Sequence, residues 1–202
     1  GAMLPAHDRA YARYLVVRLA TAAAGYASPF YAVYARRSLA APPEMVGIYL
    51  MGFTLSGVLS NLVSGKIGDR YGNRRLMRLA AATAVLSPAL ALLVAHLPEE
   101  AVPKASLVFA LVFAFRGLHV TASSIGGSNY VLELASSEER PTYVGFANGL
   151  TGLALFLSPL GGAVVDRLGF TPLFLLSLTC GLVAVLFSLG LREPREGRVT
   201  VS

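Results

Sequence analysis

Two arginines, Arg18 and Arg116, lie inside long apolar stretches of this sequence. A charged side chain at the centre of a bilayer costs about 2.5 kcal/mol or more, so each is a candidate functional residue. Three hydrogen-bonding residues share a helix face with Arg116, within about 60° at 100° per residue: His119, Ser123 and Tyr130. This polar face predicts contact with an interior cavity or with another helix rather than with lipid.

Each of these candidates has a structural alternative. Arg18 lies close to the start of its apolar stretch, where a long side chain could reach the membrane surface. Arg116 lies twelve residues beyond Lys104, about 18 Å along a helix, which is too far for that explanation. Its alternative is a packing role, with hydrogen bonds to carbonyl groups at a helix end. His119 could carry protons near neutral pH or serve only as a hydrogen-bonding residue within the helix bundle.

The composition indicates an integral membrane protein. Hydrophobic residues make up 55% of the chain and charged residues 14%, and the mean hydropathy is +0.62. About 20 apolar residues are needed to cross a bilayer as a helix, and the runs are continuous rather than alternating as in barrel strands. Six runs are long enough: Tyr14–Ala35, Met45–Gly65, Leu79–Leu97, Ala105–Leu134, Thr142–Val165 and Leu168–Leu191.

The basic residues predict how these spans are oriented. With six spans, the side that carries both termini holds eleven of the seventeen lysines and arginines and the other side holds four. Positive charge concentrates in cytoplasmic loops, so both termini should be cytoplasmic, in a multi-pass protein of the bacterial inner (plasma) membrane. Because the charges cluster at span ends, the net charge of +6 does not indicate nucleic-acid binding.

The pattern G-x-x-x-D-R-x-G occurs twice in the sequence, 97 residues apart. Its defining residues are Gly65, Asp69, Arg70 and Gly72 in the first copy and Gly162, Asp166, Arg167 and Gly169 in the second. Three predicted spans separate the copies, which places them on opposite membrane faces. This arrangement predicts an inverted repeat of three plus three helices.

The predicted fold is therefore an all-α integral membrane protein with six transmembrane helices in two inverted three-helix repeats. Residues 13–192 form the bundle, with repeats over 13–98 and 102–192, and residues 1–12 and 193–202 are tails. Residues 1–3 resemble a cloning remnant. Pro29 and Pro159 should kink their helices. Close helix packing is expected at the small residues of the second and fifth spans: Gly52, Ser56, Ser60, Ser64, Gly145 and Gly149.

Three stretches of the sequence resemble the major facilitator superfamily. The first copy of the pattern, continued by Arg74 and Arg75, is similar to the family's signature loop between the second and third helices of a half. Residues 138–148 resemble the entry to the eleventh helix, and residues 158–162 resemble its G-P-x-x-G-G pattern. The chain departs from the family at Asn73, where arginine is usual, and at Ser158, where glycine is commoner. The resemblance implies the C-terminal half of the family's fold, helices seven to twelve.

The resemblance implies a transporter of a small solute, secondary active or facilitative, that works by alternating access. The first and fourth helices of each half line its central cavity, and these would carry Arg18 and Arg116. The resemblance therefore implies a negatively charged solute, bound by the following residues: Arg116, His119, Ser123, Tyr130 and Arg18. Asp69 would act as a conformational latch against a helix start in the opposite half, with Gly65 and Gly72 in the same motif. Arg70, Arg74 and Arg75 would frame it; alternatively, these basic residues only orient the spans and contact lipid phosphates.

The resemblance leaves the partner of this half open, because the cavity of the family lies between two six-helix halves. Expected partners are the solute, membrane lipids and either a missing N-terminal half or a second copy of the chain acting as a homodimer. A non-transporting module for binding or assembly is the competing interpretation. The sequence contains no enzyme signature, and we expect no cofactor and no metal.

Overall fold

The computed structural model describes residues 9–193 and shows an all-helical bundle over that range, without strands. A short 3-10 helix, Glu99–Ala101, precedes α5. The α-helices in chain order are α1 (Arg9–Ala23), α2 (Ser28–Arg37), α3 (Met45–Tyr71), α4 (Asn73–Ala95), α5 (Val102–Val108), α6 (Ala110–Leu134), α7 (Arg140–Leu155), α8 (Leu160–Leu168) and α9 (Phe170–Leu189).

Within residues 9–193, five helical stretches are long and apolar enough to cross a membrane. These are Met45–Tyr71, Asn73–Ala95, Lys104–Leu134, Arg140–Leu168 and Phe170–Leu189. The first apolar run of the sequence instead forms two shorter helices, α1 and α2, which are interrupted by a turn over residues 24–27. Pro29 lies in the first turn of α2 and Pro159 immediately precedes α8, so both prolines lie at helix interruptions. A proline lacks the N–H that would continue the preceding helix.

The expected loops of the repeated pattern are shorter than the sequence suggested. Helix α3 runs on through Asp69 and Arg70, and α4 begins directly after Gly72. In the second copy, Asp166 and Arg167 likewise lie in the last turn of α8. The sequence suggested loops because charged residues follow the apolar run, but exposed charged side chains are fully compatible with a helix that continues beyond the membrane.

A single glycine joins the two helices in each copy. Gly72 has φ 84° and ψ 158°, and Gly169 has φ 83° and ψ −176°. Other residues are strongly disfavoured in this region of backbone conformation because a Cβ atom would clash with the backbone. The two final glycines of the pattern therefore have the same structural role, which is to reverse the chain between consecutive helices.

Helix α6 packs closely against α3 through small residues. Ser56, Ser60 and Ser64 are buried on α3, and the Ser60 hydroxyl donates a hydrogen bond to the Leu118 carbonyl oxygen at 3.1 Å. A Cβ atom on Gly117 would lie only 2.1 Å from the Phe53 carbonyl oxygen, so only glycine allows this approach.

The small residues of the fifth span pack against no other helix within the described part of this chain. A Cβ atom added to Gly145 or Gly149 on α7 would meet no neighbouring atom within 4 Å, and both residues are exposed. The same spacing of small residues therefore supports helix contact on α3 but not on α7. The difference is that α7 presents this face away from the other described helices.

The end of α9 is held by side chains from two other helices. The Arg78 guanidinium on α4 donates hydrogen bonds to the Leu189 carbonyl oxygen at 2.7 Å and to the Ser188 carbonyl oxygen at 3.2 Å. Arg13 on α1 donates to the carbonyl of the next residue, Gly190. Because the last carbonyls of a helix have no partner within the helix, cationic donors at this end both satisfy them and complement the helix dipole.

Candidate functional site

A cavity of about 210 Å³ lies between α1, α6 and α7. Four of the five predicted solute-binding residues line it: Arg18, Arg116, His119 and Ser123. The other lining residues are Thr21, Ala22, Val120, Ser124, Thr151 and Leu155. None of these described lining residues is acidic, so the two guanidinium groups have no carboxylate beside them in the wall of the cavity.

The break between α1 and α2 makes room for Arg116. Its Nη2 atom lies 2.8 Å from the position that a Cβ atom on Gly25 would occupy, so a larger residue at position 25 would displace the guanidinium. The Tyr31 phenol on α2 interacts electrostatically with Arg116. The same Cβ position on Gly25 lies 2.9 Å from the Ala22 carbonyl oxygen, so the Arg116 guanidinium reaches the C-terminal end of α1. Both interpretations of Arg116, solute binding and packing at a helix end, therefore stay predictions.

Arg18 crosses from α1 to α6 rather than reaching for the end of its helix. Its Nη1 atom donates a hydrogen bond to the Ser123 carbonyl oxygen at 3.1 Å. The side chain lies against Gly127, where an added Cβ atom would come within 2.5 Å of Nη1. The Nε atom of Arg18 is buried and has no hydrogen-bond partner in the described structure. Arg18 thus directs its charge to the wall of the cavity.

His119 connects α6 to α4 from the edge of the cavity. The side chain is 4% exposed, and its Nδ1–H donates a hydrogen bond to the Ala80 carbonyl oxygen at 2.9 Å. A carbonyl acceptor requires the proton to be on Nδ1. This contact fixes the orientation of the ring next to Arg116 and agrees with the hydrogen-bonding interpretation of His119.

Tyr130 lies apart from the cavity, although it shares the helix face of Arg116. Its ring stacks on Tyr14 with the centroids 5.6 Å apart, and its hydroxyl donates a hydrogen bond to the Arg192 carbonyl oxygen at 2.7 Å. About four helical turns separate Tyr130 from Arg116, which brings it to the end of the bundle. The face of a helix thus indicated the direction of this side chain but not its distance from the site.

Two threonines of the cavity were not predicted from the sequence. Thr21 on α1 and Thr151 on α7 both line it. Each hydroxyl donates to a carbonyl oxygen of its own helix, Thr21 to Val17 at 2.9 Å and Thr151 to Ala147 at 2.7 Å. The oxygen lone pairs remain available as acceptors. Each threonine is a polar residue within an apolar span, and this could have marked it in the sequence as a candidate. Only the packing of α7 against α1, however, brings Thr151 close to the two arginines.

The predicted latch residues lie at the junction of α3 and α4, away from this cavity. Asp69 and Arg70 are exposed, while Gly72 is buried. Arg74 Nε lies 3.5 Å from a carboxylate oxygen of Glu193, which follows α9.

Of the remaining predicted latch residues, Arg70 and Arg75 lie near an aromatic ring and Gly65 faces no neighbouring residue. The Arg70 and Arg75 guanidinium carbons lie 5.6 and 5.0 Å from the centre of the Tyr71 ring. A Cβ atom added to Gly65 would have no neighbouring atom within 4 Å. The arginines of the predicted latch therefore have partners within this chain: Arg74 contacts Glu193, and Arg70 and Arg75 lie near Tyr71.

The second copy of the pattern has far fewer contacts. Asp166, Arg167 and Gly169 are exposed, Gly162 is partly buried, and nothing lies within 4 Å of the position that a Cβ atom on Gly169 would occupy. Over residues 9–193, no cluster of three or more His, Cys, Asp or Glu side chains could hold a metal ion.

The comparison with protein families connects these observations. None of the curated proteins that were compared with the chain matches it. The family model described as Major Facilitator Superfamily matches residues 14–201, which is nearly the whole sequence. Together with the apolar spans and the helical bundle, this match shows that the chain belongs to the major facilitator superfamily.

Proposed function

We propose that the chain forms the C-terminal half of a transporter that moves a negatively charged small solute by alternating access. Members of the family transport solutes, and the chain is a multi-pass membrane protein of that family. The observation that carries the proposal is the cavity in which Arg18 and Arg116 meet without a carboxylate among the described lining residues.

The electrostatics of the cavity favour an anion. In a membrane-embedded site the effective dielectric constant is low, so an uncompensated guanidinium is costly and a bound negative charge is strongly attracted. Arg18 uses Nη1 on the Ser123 carbonyl, while its Nε has no partner in the described structure. A carboxylate or phosphate group could accept bidentate hydrogen bonds from either guanidinium.

A second half would complete the transporter. Helices α3 and α7–α8 are largely uncovered in this chain, with 11% of their most apolar windows buried against 50% for α4. The proposed partner is an N-terminal half or a second copy of this chain, with lipid covering the remaining surface. The matching conformations of Gly72 and Gly169 support the inverted repeat. The proposed transporter half has six spans with both termini in the cytoplasm.

The proposal is tested first by ligand binding to the purified chain in detergent. Phosphate, succinate and citrate serve as anionic probes, glucose as a neutral probe and choline as a cationic probe, each measured by thermal shift and calorimetry. We expect at least one anion to bind and Arg116→Gln to weaken it by about 30-fold or more, because the variant removes one partner of a buried charge pair. Arg37→Gln, which changes an exposed arginine outside the cavity, should leave binding unchanged.

Transport is tested by uptake of the identified anion into proteoliposomes, alongside native mass spectrometry of the reconstituted particle. Uptake by a particle with two copies would support the homodimer, whereas binding without uptake by a single copy would direct the search to an N-terminal half. Stabilisation by glucose or choline alone would contradict the anionic solute. Unaltered anion binding in Arg116→Gln, with the protein still folded, would remove Arg116 from the site.

A further inference from the structure

A second cavity, also of about 210 Å³, lies where α1 begins and α9 ends. Three arginines line it, Arg9 and Arg13 from α1 and Arg192 from the segment after α9. The other described lining residues are Ala10, Gly190 and Leu191, so no acidic side chain among them balances the three positive charges. This cavity is separate from the one that holds Arg18 and Arg116, with which it shares no lining residue.

Hydrogen bonds fix the backbone around this cavity. Arg13 donates to the Gly190 carbonyl oxygen, which ties α1 to the end of α9. The Tyr130 hydroxyl donates to the Arg192 carbonyl oxygen at 2.7 Å, so the chain after α9 is held to α6. The three arginines are therefore brought together by the fold, although like charges repel one another. Such an arrangement is stabilised when an anion enters it.

An exposed apolar stripe on α9 ends one residue before the wall of the same cavity. Leu175, Leu182, Leu186 and Leu189 are between 48% and 67% exposed and lie within about 60° of one another around the helix. The last of them directly precedes Gly190 in the cavity wall. In a membrane, acyl chains packed along this stripe would end at the three guanidinium groups.

We propose that this cavity binds the phosphodiester headgroup of an anionic phospholipid, with the acyl chains lying along α9. Basic pockets between transmembrane helices at the membrane surface suit phosphate-containing headgroups, because guanidinium groups form bidentate hydrogen bonds with phosphate oxygens. A headgroup such as phosphatidylglycerol, which carries no ammonium group, matches the uncompensated charge of the cavity. A zwitterionic headgroup would bring a cation towards three arginines.

The test is native mass spectrometry of the purified chain, delipidated in detergent and titrated with dioleoyl phosphatidylglycerol or dioleoyl phosphatidylcholine. We expect phosphatidylglycerol to be retained in preference to phosphatidylcholine. In the double variant Arg9→Gln/Arg192→Gln its affinity should fall on the order of 20-fold, since each arginine near the surface contributes about fivefold. Arg13 is left in place because it also holds the end of α9. The matched control is Arg37→Gln/Arg167→Gln, which removes two exposed arginines outside the cavity.

Inorganic phosphate at millimolar concentration distinguishes the source of the anion. If phosphatidylglycerol binding persists in its presence, the lipid headgroup is supported. Displacement of the lipid by phosphate would overturn the lipid assignment in favour of a site for a soluble anion. Equal retention of the two lipids, or equal losses in the double variant and the control, would show that no specific headgroup site exists. None of these outcomes depends on the solute proposed for the other cavity.

Discussion

The two copies of the G-x-x-x-D-R-x-G pattern share a backbone but differ in their surroundings. Gly72 and Gly169 adopt nearly the same positive-φ conformation between two helices. A Cβ atom on Gly72 would lie 2.7 Å from both carboxylate oxygens of Glu193, whereas a Cβ atom on Gly169 would meet nothing within 4 Å. The pattern therefore determines the turn, while the packing around the turn differs between the two copies.

The residues that follow the pattern account for this difference. At the positions of Asn73 and Arg74, the second copy has Phe170 and Thr171. Asn73 is 3% exposed, and Arg74 contacts Glu193 from the end of α9. The first copy thus joins α3, α4 and the end of α9 through a charged contact, whereas the second copy is followed by Phe170, whose ring packs on Tyr34 of α2 with the centroids 5.2 Å apart. A repeated motif can preserve local geometry while one copy acquires additional tertiary contacts.

The largest expected effect distinguishes the two glycines. Gly72→Ala should destabilise the protein by about 3 kcal/mol, because backbone strain adds to the loss of the contact between Glu193 and Arg74. Gly169→Ala should cost about 2 kcal/mol from backbone strain alone. Thermal unfolding of both variants in the same detergent measures the difference. Equal losses would show that Glu193 moves aside without cost.

The second effect concerns the conformational latch. If Asp69 holds one transport conformation, Asp69→Asn should change the ratio of the two conformations by about tenfold. Asp166→Asn, in the second copy, should leave the ratio unchanged. A cysteine introduced as Ser124→Cys, in the wall of the arginine cavity, reports on access from each side of the membrane after Cys180→Ser. The assay requires the assembled transporter, and an unaltered ratio in Asp69→Asn would leave the motif with only its structural role.

The ion pair of Arg74 and Glu193 should contribute about 1 kcal/mol, because the two side chains are 27% and 9% exposed and only partly shielded from solvent. Glu193→Gln and Arg74→Gln should each lose stability, and the double variant should lose less than their sum. Chemical unfolding of the four proteins in the cycle measures the coupling. Glu138→Gln, at an exposed site, is the matched control. If the two single losses of stability simply add in the double variant, the contact between Arg74 and Glu193 contributes no interaction energy.

The smallest effect concerns Tyr71, which lies between Arg70 and Arg75. Tyr71→Leu gives the first copy the residue that Leu168 provides in the second, and it should cost about 0.5 kcal/mol through the loss of cation–π contacts. The reverse change, Leu168→Tyr, should not stabilise the protein. The second copy has one arginine beside this position, Arg167, where the first copy has two. A stabilising Leu168→Tyr would show that one flanking arginine is sufficient.

The amino-acid sequence by itself determined the class of the protein and much of its local structure. Continuous apolar runs predict membrane-spanning helices because an unpaired backbone group in lipid is costly. The helix interruptions near Pro29 and Pro159 and the repeated pattern ending in Gly72 and Gly169 were also visible, since proline and glycine restrict or permit particular backbone angles regardless of their surroundings. The signature residues around Asp69 suggested the family, and the match over residues 14–201 confirmed it.

Only the tertiary structure decided which polar residues meet. Arg116 and Tyr130 share a helix face, yet only Arg116 lines the cavity, because Tyr130 lies about four turns further along α6 and pairs with the end of α9. Thr151 joins the arginines from a helix that the sequence pattern did not connect to them. Helical periodicity fixes the direction of a side chain, but the crossing of separate helices fixes its distance from another. The pairing of Arg18 with Arg116 in one cavity is the outcome of that packing.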